Sequence, residues 1–262
     1  MAALPVRKLE TNNVIKLSIV NGKLSKKSEV EYNKNDSIDK RQTNKVAGVS
    51  SEVYPFTTHE EIKAIIDVFN KHICEATNDN QRQIACRNKM MFLIGINISL
   101  RASDLITLKW NFFFDNNGEF KDFYVLQPKK QRKQKKFVKL FFNQAVKKAV
   151  TDYIEEYPIQ DMNEYLFKSR KGDGAINEKS LWRIVVNVAA EAGIKKNVGS
   201  HSLRKTFGFW AWHNAADKNK ALVTLQMLFN HSDTQTTLRY IGLLSSEIED
   251  MFNSVDLGLE YI

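Results

Sequence analysis

Four short pieces of this sequence carry side chains whose chemistry goes beyond packing. They are Ser99-Leu100-Arg101-Ala102-Ser103-Asp104-Leu105, a run of cations from Lys129 to Lys136, His201-Ser202-Leu203-Arg204-Lys205-Thr206-Phe207, and Phe229-Asn230-His231 through Leu238-Arg239-Tyr240. Guanidiniums bind anionic oxygens in pairs. An imidazole moves a proton near neutral pH, and an ammonium can give one up. A phenol, with a pKa of about 10, attacks only where its surroundings favour the anion. Taken singly, each piece has an ordinary reading. A Tyr after an Arg in a helix packs, an H-x-x-R is a surface pair, Leu100-Arg101 begins a helix, and a lysine run is a solvated face. It is their order and spacing as a set that point to chemistry on an anionic substrate.

In that order and spacing the set resembles the tyrosine recombinases of the phage-integrase type. That family shows an Arg in an L-R-x-S-[DE]-L motif, a hairpin Lys, an H-x-L-R box, and a His or Trp nine residues before a nucleophilic Tyr. Here the positions fall at Arg101, the cationic run, His201 with Arg204, then His231 and Tyr240. Gly242, after Arg239-Tyr240-Ile241, suits the subgroup resembling integrases of mobile bacterial elements. The match runs from about Phe56 to the C-terminus.

The resemblance implies a site-specific recombinase that cleaves and rejoins double-stranded DNA through a 3′-phosphotyrosyl bond, in integration or excision, with no metal or other cofactor. Arg101 and Arg204 are expected to clamp the non-bridging oxygens as charge grows on them. His201 would bond a phosphate oxygen or accept the Tyr240 proton, and His231 would offer a further donor. A hairpin Lys would protonate the departing 5′ oxygen. Aligning the hairpin back from Phe137 selects Lys130, and aligning it from Gln127 selects Lys129. Gln131 replaces the frequent Thr, and Lys139 stands where many members have Pro. Lys130 is preferred. Lys129, Arg132, Lys133, Lys135 and Lys136, with Lys205 and Arg239, are expected at DNA phosphates. Two other functions stay open: an inactive relative that only binds DNA, opposed by the complete motif set, and a type IB topoisomerase.

The elements that must position these groups read as mainly α with one small antiparallel β-sheet. Thr58 with Glu61 reads as a capping box, followed by Ile62, Ile65, Ile66 and Phe69 at helical spacing. A second apolar helix is expected from Arg87 to Ile98 and a third from Ala102. Strand formers fill 120–126 and 136–142, so the cations between them form the tip of a hairpin. Helical patterns return over 144–157, 180–192, 203–214, 222–229, 234–240 and 246–255. In the last of these, Ile248, Met251, Phe252 and Val255 make an apolar stripe. The family passes such a segment (246–256 here) to a neighbouring subunit, which implies dimers or tetramers on DNA and favours a recombinase over a topoisomerase.

Residues 1–52 differ. Apart from a short strand expected over 14–20 they are polar, and a flexible arm is expected ahead of a catalytic domain at 53–262. The arm is too short and too poor in apolar residues for the helical DNA-clamping domain that such enzymes usually carry. Across the 262 residues, 39 Lys and Arg stand against 30 Asp and Glu, a net charge of +9 that suits a polyanionic partner. Cys74 and Cys86 form no C-x-x-C, no run approaches membrane-spanning length, and no signal-peptide pattern opens the chain, so a cytoplasmic protein is expected. His59-Glu60 lacks the second His of a zinc-protease motif, and Gly172-Asp173-Gly174 has no G-K-[ST] after it.

Overall fold

A computed structural model of the chain describes residues 19–20, 23–24, 52–115, 117–129, 137–170, 172–243 and 251–255. Its contacts divide the chain after Val49 into two units. In the first, β1 (Ile19–Val20) pairs antiparallel with β2 (Lys23–Leu24). Residues 14–18 of the expected strand lie outside the described residues. Lys23–Leu24 is too short and polar to show a strand pattern, so its pairing had no signature in the sequence.

The second unit runs α1 (His59–Cys74), α2 (Asp79–Asn97), α3 (Ala102–Leu105), a 3-10 turn at Trp110–Phe112, β3 (Phe123–Leu126), β4 (Val138–Phe141), α4 (Gln144–Glu156), α5 (Glu178–Glu191), α6 (Ser200–His213), α7 (Lys218–Phe229) and α8 (Thr234–Tyr240). Capping chemistry sets most of the helix starts. Thr58 and Glu61 form the expected box on α1, and the side chains of Asn78, Asn143, Asn177, Asp217 and Asp233 each accept a backbone N–H from the first turn of α2, α4, α5, α7 and α8. The Asn78 cap explains why α2 starts two turns before Arg87: those turns are polar and carry no apolar period, yet their N-terminus is satisfied.

At the middle of the unit lies α2, which packs against α1, α4 and α6. Met90, Met91, Phe92, Ile94 and Ile96 are buried around much of its circumference, as a central helix requires. Strands β3 and β4 pair antiparallel from Phe123↔Phe141 to Leu126↔Val138, the expected hairpin. A second, smaller apolar cluster, Leu225, Phe229, Ile241 and Leu243, lies under α6, α7 and α8. It forms because α6 carries Gly208 at the crossing: a Cβ there would come within 2.6 Å of Ile241 and 2.9 Å of the Phe229 ring.

Candidate active site

Arg101 sits just after α2, in extended backbone, as the residue that starts α3. Its carbonyl accepts the N–H groups of Asp104 and Leu105 at 3.0 and 2.8 Å, which fixes the turn. Its Nη2 donates to the Phe229 carbonyl, 3.3 Å away, at the C-terminus of α7, where a cation meets the negative end of the helix. Arg204 projects from α6 and is buried, with its guanidinium carbon 4.8 Å from the centre of the Phe229 ring. Its Nε has no hydrogen-bond partner among the described residues. Both arginines line one recess with Asp104, Leu126, Leu140 and Leu228.

The chain reverses at Asn230, which adopts left-handed backbone, φ +57°, and delivers His231. His231 Nδ1 lies 3.1 Å from Thr237 Oγ1, and Thr237 is fully buried on α8. One turn on, Tyr240 closes the helix. Its ring meets the His231 ring edge-on at 5.0 Å and the Phe229 ring at 5.1 Å. Gly242, at φ +85°, then turns the chain, and a Cβ there would come within 3.1 Å of Pro55.

These groups share one electrostatic environment. Burial pushes the Arg204 guanidinium down to about 10, with Arg101 adding repulsion and Tyr240 and Asp104 opposing it; it stays cationic at neutral pH. Burial also holds His231 below the ordinary imidazole range, reinforced by Arg204 and Arg101 and opposed by Asp233. The Tyr240 phenol is raised by burial, while Arg204 and Arg101 pull it back. The resting site therefore holds a protonated phenol facing two guanidiniums that favour its anion.

The structure brings together Arg101, Arg204, His231 and Tyr240 from four separate pieces of sequence. His201 is exposed on α6, one turn before Arg204. Arg239 is exposed on α8. Lys129 stands at the base of the hairpin, its Nζ donating to the Ser103 carbonyl at 2.9 Å. Lys130, Arg132, Lys133, Lys135 and Lys136 lie outside the described residues. Lys205 departs from expectation: it is buried, not presented at the surface, and its Nζ pairs with Glu52 at 2.8 Å. It follows Arg204 on α6, so the turn of the helix carries it inward.

Three roles escaped the sequence reading. Asp104 is buried and its Oδ1 accepts the Lys129 N–H at 3.1 Å, tying the hairpin base to the Arg101 turn. Thr237 links His231 to the helix of Tyr240. Phe229 packs against Arg204, His231 and Tyr240 at once. Asp104 is visible in the sequence as part of the L-R-x-S-[DE]-L motif, which carries no sign of its bond to the hairpin. Thr237 and Phe229 left no signal beyond their closeness to His231 and Tyr240 in sequence.

The model of the phage integrase family matches residues 55–247. The chain belongs to the phage integrase family. Its enzyme class follows: a recombinase of the tyrosine recombinase family. It is 32% identical over 157 residues to a probable integrase/recombinase, YoeC, of Bacillus subtilis, covering 60% of this chain and 78% of that one. It is 30% identical over 90 residues to the tyrosine recombinase XerD of Listeria monocytogenes, covering 34% of this chain and 29% of XerD. The fold is similar to the crystal structure of the XerH site-specific recombinase bound to a palindromic difH substrate, with a TM-score of 0.54 at 18% identity, over 77% of this chain and 52% of XerH. The chain thus spans much less than the full length of these XerD and XerH relatives. Among the described residues no helix is long and apolar enough to cross a membrane, and no group of three or more His, Cys, Asp or Glu side chains is placed to hold a metal ion.

Proposed function

We propose that this recombinase cuts double-stranded DNA by attack of Tyr240 Oη on a phosphodiester, leaving a 3′-phosphotyrosine and a free 5′ hydroxyl, and reseals it by the reverse step. The observation that carries this is the placement of Tyr240 on its own chain's α8, against His231 and under the joint field of Arg204 and Arg101. A phosphate between the guanidiniums would accept from both and would give Arg204 Nε the partner it lacks among the described residues. As the pentacoordinate state gains charge, fixed cations in a recess favour it over the ground state. His201, at the open end of α6, serves as the base or a further phosphate donor.

Lys129 is already engaged with the Ser103 carbonyl, which supports Lys130 as the acid for the 5′ oxygen. A substrate with a 5′-bridging sulfur leaves without protonation, so it should rescue Lys130→Ala and not Lys129→Ala; the opposite pattern would move the assignment. Arg132, Lys133, Lys135, Lys136 and Arg239 serve as phosphate contacts. Residues 53–262 act as the catalytic domain and 1–52 as an arm, in the cytoplasm, on the DNA of a mobile element. Met251, Phe252 and Val255 are exposed, which supports the 246–256 segment as the part that joins neighbouring subunits on DNA. Met251→Asp with Phe252→Asp should then abolish the higher-order DNA complex in sedimentation with an unchanged melt of the free protein.

A nicked suicide duplex tests the central claim. The wild type should be trapped on a DNA 3′ end, stable to detergent, and Tyr240→Phe should trap none at equal DNA occupancy. Trapping by the Phe variant would mean another nucleophile.

A further inference from the structure

Tyr240 is the last residue of α8, the position where a helix is least constrained, and its attack geometry needs more than helical backbone to hold it. Phe229 and His231 meet it edge-on. A third group is Lys205, whose Nζ lies 5.4 Å from the centre of the Tyr240 ring, within the range where an ammonium is drawn to an aromatic face. Lys205 is buried, and Glu52 holds its ammonium at 2.8 Å.

Glu52 is itself fixed by a ladder that stitches the segment 52–56 onto α6 and the turn before it. Asn197 Nδ2 donates to the Glu52 carbonyl at 2.6 Å, and the Tyr54 N–H donates to the Asn197 carbonyl at 2.9 Å. The Phe56 N–H donates to Thr206 Oγ1 at 2.8 Å, and Trp210 Nε1 donates to the Phe56 carbonyl at 3.0 Å. Pro55 closes against Gly242, two residues after the nucleophile. Among the described residues, the buried ammonium thus meets a carboxylate in a pinned segment and stands near the ring of the proposed nucleophile.

We propose that Lys205 is a positioning residue for Tyr240, with Glu52 fixing where its ammonium stands. This rests on Tyr240 as the nucleophile. The same helix then sets both partners of the reaction: Arg204 aims the phosphate and Lys205, the next residue, steadies the phenol. Lys205 touches no reacting atom in this scheme; it narrows the range of ring orientations from which Oη can attack, and misplacement of a reacting group by about 1 Å can cost on the order of 100-fold in rate.

The test uses the full chain and the suicide duplex, with single-turnover trapping at saturating DNA, DNA affinity at several salt concentrations, and a thermal melt. Lys205→Met should slow trapping about 10- to 100-fold while leaving affinity and its salt slope unchanged, and Lys205→Arg should recover much of the rate. Glu52→Gln, at a more exposed residue, should slow trapping less, and the double variant should be no slower than Lys205→Met, because both act through one contact. If Lys205→Met melts too early to measure, Glu52→Gln decides, and a wild-type rate there overturns the proposal. So does weakened DNA binding with a salt slope reduced by about one, the mark of a phosphate contact. Tyr240→Phe runs alongside. If it still traps DNA, the nucleophile assignment has failed. If it traps none while Lys205→Met cleaves at the wild-type rate, the positioning role alone has failed.

Discussion

Arg87 and Arg204 are both buried, both lie on helices that pack inside the larger unit, and both have guanidiniums pushed below the ordinary arginine range mainly by burial. Their surroundings differ. On α2, Arg87 donates through Nη1 to the Lys168 carbonyl at 2.7 Å and through Nε and Nη2 to Asn88 Oδ1 at 3.2 and 2.8 Å, so each nitrogen has a protein acceptor and the loop at Lys168 is tied to the helix. On α6, Arg204 has a buried Nε with no partner among the described residues. A phenol and a second guanidinium act on each arginine, Tyr240 and Arg101 on Arg204 and Tyr153 and Arg170 on Arg87. Burial and a depressed pKa are common to both regions and so do not identify a site. What separates them is unmet donor capacity.

The sharpest way to break this contrast is to remove each guanidinium in turn. Arg204→Met should cut covalent trapping by about 10²–10³ or more at equal DNA occupancy, the usual cost of a lost preorganised donor. Its melt without DNA should hold or rise, since an incompletely satisfied buried cation is exchanged for an apolar chain. Arg101→Ala should lose activity on the same scale. Arg87→Met should do the reverse: near-normal trapping, with about 1–3 kcal/mol of stability lost as the Lys168 carbonyl and Asn88 lose their donors. If Arg204→Met destabilised the free protein as Arg87→Met does, the two regions would be alike and the argument from unmet donors would fall. Addition of EDTA should leave wild-type trapping unchanged, because the two guanidiniums supply the charge that a metal would otherwise bring.

The two regions were also unequally legible in the sequence. Apolar period revealed α1, α4 and α5, and the strand formers on either side of the cationic run revealed the hairpin. The motif spacing pointed to Arg101, Arg204, His231 and Tyr240, four groups from separate pieces of sequence that the fold brings together. Three things were not legible. The polar first turns of α2 depend on a single cap at Asn78. The burial of Lys205 depends on Glu52, more than 150 residues away, and a lysine beside Arg204 in a basic motif reads as a surface cation until that carboxylate is seen. Arg87 gave no sign at all, since its acceptors are a backbone carbonyl and its own neighbour. Sequence pattern records periodic burial and chemically fixed spacings; a polar group satisfied by a distant partner leaves no period to find.

A smaller effect sharpens the site half of the contrast. The Thr237 hydroxyl lies 3.1 Å from His231 Nδ1 and 3.3 Å from the Asp233 carbonyl. Given to Nδ1, its proton selects the neutral tautomer with hydrogen on Nε2, which can still donate to a phosphate oxygen. Thr237→Val keeps the shape and removes that choice. Trapping should slow about fivefold, the rate equivalent of one ordinary hydrogen bond, with DNA affinity unchanged. An unchanged rate would mean that the hydroxyl serves the α8 backbone alone.

The smallest expected effect is a pH dependence that belongs to the site and not to the Arg87 region. His231 is held below its ordinary value of 6.5 in the fold, by burial first and then by Arg204 and Arg101. Between that lowered value and 6.5 the unfolded chain binds a proton that the folded chain does not, so stability rises with pH through this window. The contribution of the neutral ring is fully present above 6.5 and is lost as pH falls through the folded value. Around Arg87 the titratable neighbour is Tyr153, raised by burial and therefore silent at acid and neutral pH. Melts of the wild type and of His231→Gln between pH 5 and 8 separate the two. The wild type should lose stability below about pH 6.5, and the variant should lose less over the same interval, with the two curves parallel above it. Bound DNA should reduce the difference, because a phosphate beside the imidazole favours its charged form and opposes the guanidiniums. Parallel curves throughout, in the free protein, would mean that the cations and the burial around His231 do not act on it, and that the common field inferred for the site does not extend to this ring.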